Sequence, residues 1–128
     1  MNPSELRYTE DHEWIGRDGE AYAVGITDFA QDQLGDITFV ELPGVGRVVQ
    51  RHEETAAVES VKAAGDVYAP VAGTVVAVND ALEREPELVN QDPFGAGWFF
   101  KLGQVDEAQV NELMDAAAYK KFLEPCGD

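Results

Sequence analysis

The sequence predicts a mostly β fold, a small flattened β-barrel or sandwich, with a short helix in the N-terminal half and helices at the C-terminal end. Short runs of β-branched and aromatic residues recur between residues 14 and 102, separated by turns rich in glycine, proline and asparagine. Helical periodicity is confined to two places, one after residue 27 and one after residue 106. A chain of 128 residues that is 45% hydrophobic and 27% charged is typical of one folded domain.

The first elements are predicted from turn and cap residues. Residues 14–16 and 22–26 read as two strands joined by the turn at 16–19. Thr27 or Asp28 is expected to cap a short helix that ends at Gly35.

Further short strands follow along the middle of the chain. The predicted segments are 37–42, 48–49, 55–61, 66–69, 74–78 and 98–102. Residues 79–97 are polar and rich in turn formers, so we expect them to wrap over the surface.

The C-terminal segment has a different pattern. Asp106 and Gln109 have the spacing of a capping box, and an apolar stripe at helical spacing follows, formed by Val110, Leu113, Met114 and Ala117. The prediction is therefore a single domain over residues 1–128, with a core at about 6–103 and C-terminal helices at about 106–123.

The charge balance excludes some partners. Nine Lys and Arg against 25 Asp and Glu give a net charge of −16, which repels nucleic acid and anionic membranes. Solubility is the common explanation of such acidity, and the alternative is steering of the chain toward partners with basic surfaces. The one cysteine, Cys126, cannot form an internal disulfide, and the chain has no long apolar run and no leader pattern. We expect a cytoplasmic bacterial protein, a monomer with no bound metal.

Lys62 stands out among the four lysines. It lies where the chain must reverse between two predicted strands, and the small residues 63–65 leave room for a tight turn. A lysine at a hairpin tip presents its amine on a flexible stem, within reach of a modifying enzyme. A solvated surface lysine has the same position, so position alone does not decide.

The surrounding residues resemble a known family. Residues 59–63 read ESVKA and are followed at 66–73 by DVYAPVAG, which is similar to the lipoyl-attachment segment of the glycine cleavage H-protein family. Further blocks that look like this family are YTEDHEW at 8–14, VGITDFAQ at 24–31, LGD at 34–36, VELP at 40–43, LVN at 88–90 and DPFGAGW at 92–98. The resemblance runs from about residue 6 to 123. One departure is the link at residues 50–53, which lacks an expected glycine.

The resemblance implies a non-catalytic carrier with a lipoyl-domain-like fold, a barrel-sandwich hybrid. Its cofactor would be lipoate, bound covalently as N6-lipoyllysine at Lys62. Glu59 and Ser60 belong to the attachment motif; they either help present the lysine or simply fill strand positions.

The same resemblance implies partners and a cleft. The partners are a PLP-dependent glycine decarboxylase, a tetrahydrofolate-dependent aminomethyltransferase, dihydrolipoamide dehydrogenase and lipoylating enzymes, with the aminomethyl group of glycine shuttled between the first two. The loaded arm would fold into a cleft near Glu13, Asp66 and Asp11. In so acidic a chain the alternative for each is a solvated surface charge, and a role in the cleft is favoured for Glu13 and Asp66 over Asp11, because position 11 varies within the family.

Other functions remain to be weighed. A lipoyl relay, donating lipoyl groups to other apoproteins, would use the same lysine. A biotin carrier typically has methionines on both sides of the lysine, whereas Val61 and Ala63 stand here. Catalysis by His12 with Glu13 has little support, because the chain has only two histidines and no phosphate loop or metal-ligand spacing.

Overall fold

The computed structural model describes residues 2–123, which form two antiparallel sheets flanked by short helices. The strands are β1 (Arg7–Tyr8), β2 (Glu13–Asp18), β3 (Ala21–Ile26), β4 (Ile37–Glu41), β5 (Val48–Val49), β6 (Glu54–Ser60), β7 (Ala64–Tyr68), β8 (Gly73–Val78) and β9 (Phe100–Gly103). The helices are α1 (Asp28–Leu34), α2 (Ala81–Arg84), α3 (Leu88–Gln91), α4 (Glu107–Asn111) and α5 (Ala116–Leu123), preceded by a 3₁₀ helix at Pro3–Glu5. The predicted mostly β class is confirmed.

The two sheets divide the strands between them. The larger has six strands in the order β1-β2-β3-β9-β8-β5, and the smaller has three in the order β4-β6-β7. The sheets remain two layers, not a closed barrel, so the sandwich form of the prediction is the one observed. The smaller sheet contains the β6–β7 hairpin, whose turn carries residue 62, the predicted attachment position.

One main core fills the space between the sheets. It contains Val40 and Val58 from the smaller sheet and Val24 and Phe100 from the larger, each no more than 2% exposed. Burial of such apolar side chains is the dominant favourable contribution to folding.

A second cluster ties the C-terminal helix to the N-terminal strands. Trp14 is completely buried there, and its indole N–H donates to the carbonyl oxygen of Pro93 at 2.9 Å. Gly25 on the paired strand makes this possible, because a Cβ at that position would lie 2.7 Å from the Trp14 ring.

The N-terminal predictions agree with the structure except for the position of one turn. The β2–β3 hairpin forms, with its turn at 19–20 and not at 16–19. Thr27 is the N-cap of α1 and accepts a hydrogen bond from the Ala30 amide, while Gly35 ends the helix with φ of 78°.

Two further sequence expectations were wrong. Residues 79–97 do not merely wrap the surface: they include α2 and α3, which bury Leu82 and Val89 completely in the main core. Their four-residue helices are too short to show a helical period. The capping box is incomplete, because Asp106 does cap α4 but the Gln109 side chain accepts from the Ala72 amide instead.

The link without the expected glycine has an unusual backbone. His52 adopts φ of 70°, a left-handed conformation that favours glycine, and its amide donates to the Ala69 carbonyl at 2.8 Å. Cys126 lies outside the described residues. No helix among residues 2–123 is long and apolar enough to cross a membrane.

Candidate functional site

The β6–β7 turn is closed by a single side chain. The Ser60 hydroxyl accepts hydrogen bonds from the amides of Lys62 (3.2 Å) and Ala63 (3.1 Å) and donates to the Ala63 carbonyl at 3.0 Å. The Ser60 amide also donates to that carbonyl at 2.8 Å. Serine hydroxyls commonly replace backbone partners in this way at turns. The Ser60 side chain therefore holds the turn by itself, without a side chain packed over Lys62.

The neighbouring strand supports the turn from one side. The Val61 amide donates to the Asp36 carbonyl at 3.1 Å, and the Thr38 hydroxyl donates to the Glu59 carbonyl at 3.2 Å. These bonds fix the start of β4 against the turn, so the base of residue 62 is anchored on two sides.

Lys62 itself is exposed. Its aliphatic stem passes over the end of α1, where a Cβ on Gly35 would lie 3.2 Å from the Lys62 Cε. The salt bridges among residues 2–123 engage Lys101, which pairs with Asp18 at 2.8 Å, but not Lys62. An amine on a firm turn, without an ionic partner, is accessible to an acylating enzyme.

A small cavity beside the hairpin gathers the three predicted acidic residues. Asp11, Glu13 and Asp66 line one space of about 220 Å³, which we call the carboxylate cavity. The rest of its wall is mainly apolar and comes from α1 and the two sheets: Ile26, Phe29, Ala30, Leu34, Val58 and Val67, with His12, Gln33 and Gly65. Lys62 is not part of the wall. Its stem passes over Gly35, however, and Leu34, the residue before Gly35, lines the cavity.

Glu13 differs from the other two carboxylates because it is 1% exposed, whereas Asp11 and Asp66 are on the surface. Its oxygens accept hydrogen bonds from the Thr9 hydroxyl (3.0 Å) and the Tyr68 amide (2.8 Å). Burial raises the pKa of Glu13 to about 7; the two hydrogen bonds oppose the rise and the charge of Asp11 adds to it. A cation that enters the cavity would therefore stabilise the ionised form of Glu13.

The contacts of His12 are with aromatic residues of α1 and α5. Its Nδ1 lies 2.9 Å from the Tyr119 hydroxyl, and its ring packs against Phe29 at 4.7 Å between centroids. Burial lowers the pKa of His12, although the charge of Asp11 opposes this. No hydrogen bond joins it to the Glu13 carboxylate. The arrangement gives no support to a His12–Glu13 catalytic pair.

Sequence reasoning missed the residues that hold Glu13. Thr9, which follows β1, and Tyr68, the last residue of β7, both donate hydrogen bonds to the Glu13 carboxylate. No spacing in the sequence indicates these contacts. Among residues 2–123, no three His, Cys, Asp or Glu side chains cluster closely enough to hold a metal ion.

The fold and the exposed hairpin lysine together define the class. A two-sheet β sandwich that presents one free lysine amine on a hairpin turn is the architecture of a lipoyl-type carrier domain. Comparisons with known proteins agree with that class and narrow it.

The family model described as "Glycine cleavage H-protein" matches residues 6–126. The chain is 57% identical to the glycine cleavage system H protein of Thermus thermophilus over 122 residues, covering 95% of each. It is 54% identical to that of Listeria monocytogenes, covering 95% of this chain and 98% of the other. The crystal structure of a glycine cleavage system H protein from Mycobacterium marinum superposes with a TM-score of 0.83 at 38% identity, covering 94% of this chain and 97% of that one. The chain belongs to the glycine cleavage H-protein family.

Proposed function

We propose that this chain is the lipoyl carrier of a glycine cleavage system, with lipoate attached through an amide to Lys62. The observation that carries the proposal is the free amine on an internally held turn, beside a cavity with three carboxylates. Family membership supports the carrier role in that system.

The site suits the cofactor chemically. Lipoate is a largely apolar arm that ends in a dithiolane, and when bound it supplies two sulfurs that accept and release a one-carbon aminomethyl unit. The carboxylate cavity has an apolar wall that matches such an arm and acidic groups that match a cationic end. Its volume of about 220 Å³ leaves room for the end of such an arm.

The chain's own residues would then have distinct tasks. Lys62 provides the nitrogen of the amide, and Ser60 holds the turn from which it projects. Glu13 would accept an N–H from the ammonium of the aminomethyl cargo inside the cavity, and Asp11 and Asp66 would add negative charge at its rim. Enclosure there would keep water from the cargo during transit.

We assign the partners by the same role. A PLP-dependent glycine decarboxylase would load the carrier, a tetrahydrofolate-dependent aminomethyltransferase would unload it, and dihydrolipoamide dehydrogenase would reoxidise the dithiol. The net charge of −16 favours docking on basic surfaces of these enzymes.

The test is chemical modification at one position. After incubation with a lipoate ligase, lipoate and ATP, intact mass should rise by one lipoyl group, and peptide mapping should place it on Lys62. Lys62→Arg keeps the charge and should remain unmodified and inactive in glycine decarboxylation with the three enzymes, because a guanidinium cannot form this amide.

Lys120→Arg is the matched control, since it makes the same change on exposed α5. It should be modified and active like the wild type. Both variants should unfold within about 0.5 kcal/mol of the wild type, as exposed positions do. Lipoyl on any other lysine would contradict the assignment.

A further inference from the structure

The outer face of the smaller sheet exposes an aromatic side chain. Along β4, Val40 points into the core and is 1% exposed, so its neighbours Phe39 and Glu41 point outward. Phe39 is 51% exposed. Single exposed apolar side chains are common on protein surfaces, so exposure alone does not mark a binding surface. Phe39 is singled out by its position relative to Lys62.

Phe39 is close to the attachment lysine. It pairs with Glu59 on β6, which in turn pairs with Ala64 on β7, so all three stand in one row across the sheet. The start of β4 is bonded to the turn through Asp36 and Val61. At about 3.3 Å per residue, Phe39 lies roughly 10 Å along the strand from that bond.

The same face is acidic. Glu59, Glu41 and Asp66 are all exposed on it, with Glu41 and Asp66 flanking Ala57 in the next row. The nearby Arg47 is paired with Glu53 at 2.8 Å, which leaves the face with an excess of negative charge. We call Phe39 with Glu41, Glu59 and Asp66 the Phe39 face.

We propose that the Phe39 face is the docking surface for the enzyme that forms the amide at Lys62, and that this enzyme covers Phe39 with an apolar pocket bordered by lysine or arginine. The inference rests on Lys62 being the lipoylated residue. In the reaction, the lysine nitrogen attacks the carbonyl carbon of a lipoyl adenylate, the amide forms, AMP leaves and the nitrogen loses a proton.

Contact is required by the chemistry. The enzyme must bring its activated carboxyl to bonding distance of the lysine nitrogen, so its surface meets the hairpin itself. A protein interface of ordinary size covers about 800 Å² on each partner, a disc of about 16 Å radius. A disc of that radius centred on the turn includes Phe39, and aromatic residues, phenylalanine among them, are enriched at protein interfaces.

The test compares Phe39→Ala with Phe122→Ala. Phe122 is 45% exposed on α5, which packs on the N-terminal segment, so the pair makes the same change at similar exposure in different places. Each purified chain is incubated with lipoate ligase, lipoate and ATP, and kcat/KM is read from intact mass. Covering the exposed half of a phenylalanine corresponds to about a tenfold change, so Phe39→Ala should be slower by about that factor and Phe122→Ala by less than twofold.

A charge pair tests the acidic part separately. Glu41→Lys and Glu20→Lys change the net charge equally, but Glu20 lies in the β2–β3 turn of the other sheet. Glu41→Lys should slow modification roughly threefold to tenfold more than Glu20→Lys at low salt, and the difference should shrink as salt is added.

The outcomes separate the two proposals. If the wild-type chain is modified on Lys62 but Phe39→Ala is as fast as Phe122→Ala, the docking surface is wrong and the carrier role stands. If the wild-type chain is never modified, both fall. A dimer in sedimentation that Phe39→Ala dissociates would assign the face to a second copy and overturn the proposal.

Discussion

The protonation of Glu13 depends on its burial. Its carboxyl is 1% exposed and has two neutral hydrogen-bond donors but no cationic partner among residues 2–123. Removing a carboxylate from water without a counter-ion favours its protonated form. Near neutral pH the carboxylate cavity is therefore less negatively charged than its count of carboxylates suggests.

This burial predicts a pH dependence of stability. The pKa of Glu13 is about 7 in the folded chain, against 4.5 for an ordinary glutamate. Below pH 4.5 both states hold the proton, and as pH rises toward 7 only the folded state keeps it. The free energy of unfolding should therefore fall across this window, by about 3 kcal/mol from this group.

Glu13→Gln, which cannot ionise, should lose that part of the decline in urea unfolding measured from pH 4.5 to 7.5. Asp66→Asn alters an exposed carboxyl of the same cavity and leaves Glu13 in place, so it should keep the wild-type decline. A glutamine variant with an unchanged slope would show that Glu13 ionises normally.

At the scale of elements, the turn between β5 and β6 is a point of strain. His52 has φ of 70°, where side-chain-bearing residues cost about 1–2 kcal/mol relative to a right-handed backbone. Glycine has no such cost but loses more entropy on folding, about 0.5–1 kcal/mol. His52→Gly should therefore raise the free energy of unfolding by roughly 0.5 kcal/mol or more, measured by urea denaturation.

His12→Gly is the contrasting variant. Its φ is 66°, nearly the same, but its ring packs on Phe29 and bonds the Tyr119 hydroxyl. Those contacts outweigh the backbone relief, so this variant should be less stable than the wild type. Equal effects at the two positions would contradict the argument from backbone strain.

The elements also show what the sequence could predict. Strands marked by β-branched runs and the helix marked by Thr27 and Gly35 were located correctly, because their signals are local. Leu82 and Val89 were missed, because one buried residue in each four-residue helix leaves no period to detect. The partners of Glu13 were also missed, since contacts between distant segments have no local signature.

At the scale of the whole molecule, Tyr119 joins both ends of the chain. Its ring stacks on Tyr8 with 4.5 Å between centroids, and its hydroxyl lies 2.8 Å from the Thr27 oxygen and 2.9 Å from His12 Nδ1. One side chain of α5 thus contacts β1, the cap of α1 and the wall of the carboxylate cavity. We propose that the whole chain is one cooperative domain.

Tyr119→Phe tests this proposal. Loss of the buried hydroxyl should lower the free energy of unfolding by about 1–3 kcal/mol, because its partners lose a hydrogen bond away from water. The midpoints by Trp fluorescence and far-ultraviolet circular dichroism should fall together.

Tyr22→Phe removes a hydroxyl that makes an exposed 3.4 Å contact with Glu107 and also bonds to Arg17, so it should have little effect. Midpoints that separate in Tyr119→Phe would indicate that α5 melts independently of the sheets.

The hydrogen bonds inside the Ser60 turn have a consequence for motion. The Ser60 hydroxyl and the bond to β4 hold the hairpin backbone in place. The movement of any group on Lys62 therefore depends on rotation about side-chain bonds. Such rotations take picoseconds to nanoseconds, whereas a loop that had to open would take up to microseconds. We therefore expect the reorientation of the proposed lipoyl arm to be limited by its departure from the cavity and by the docked enzyme, and not by the hinge.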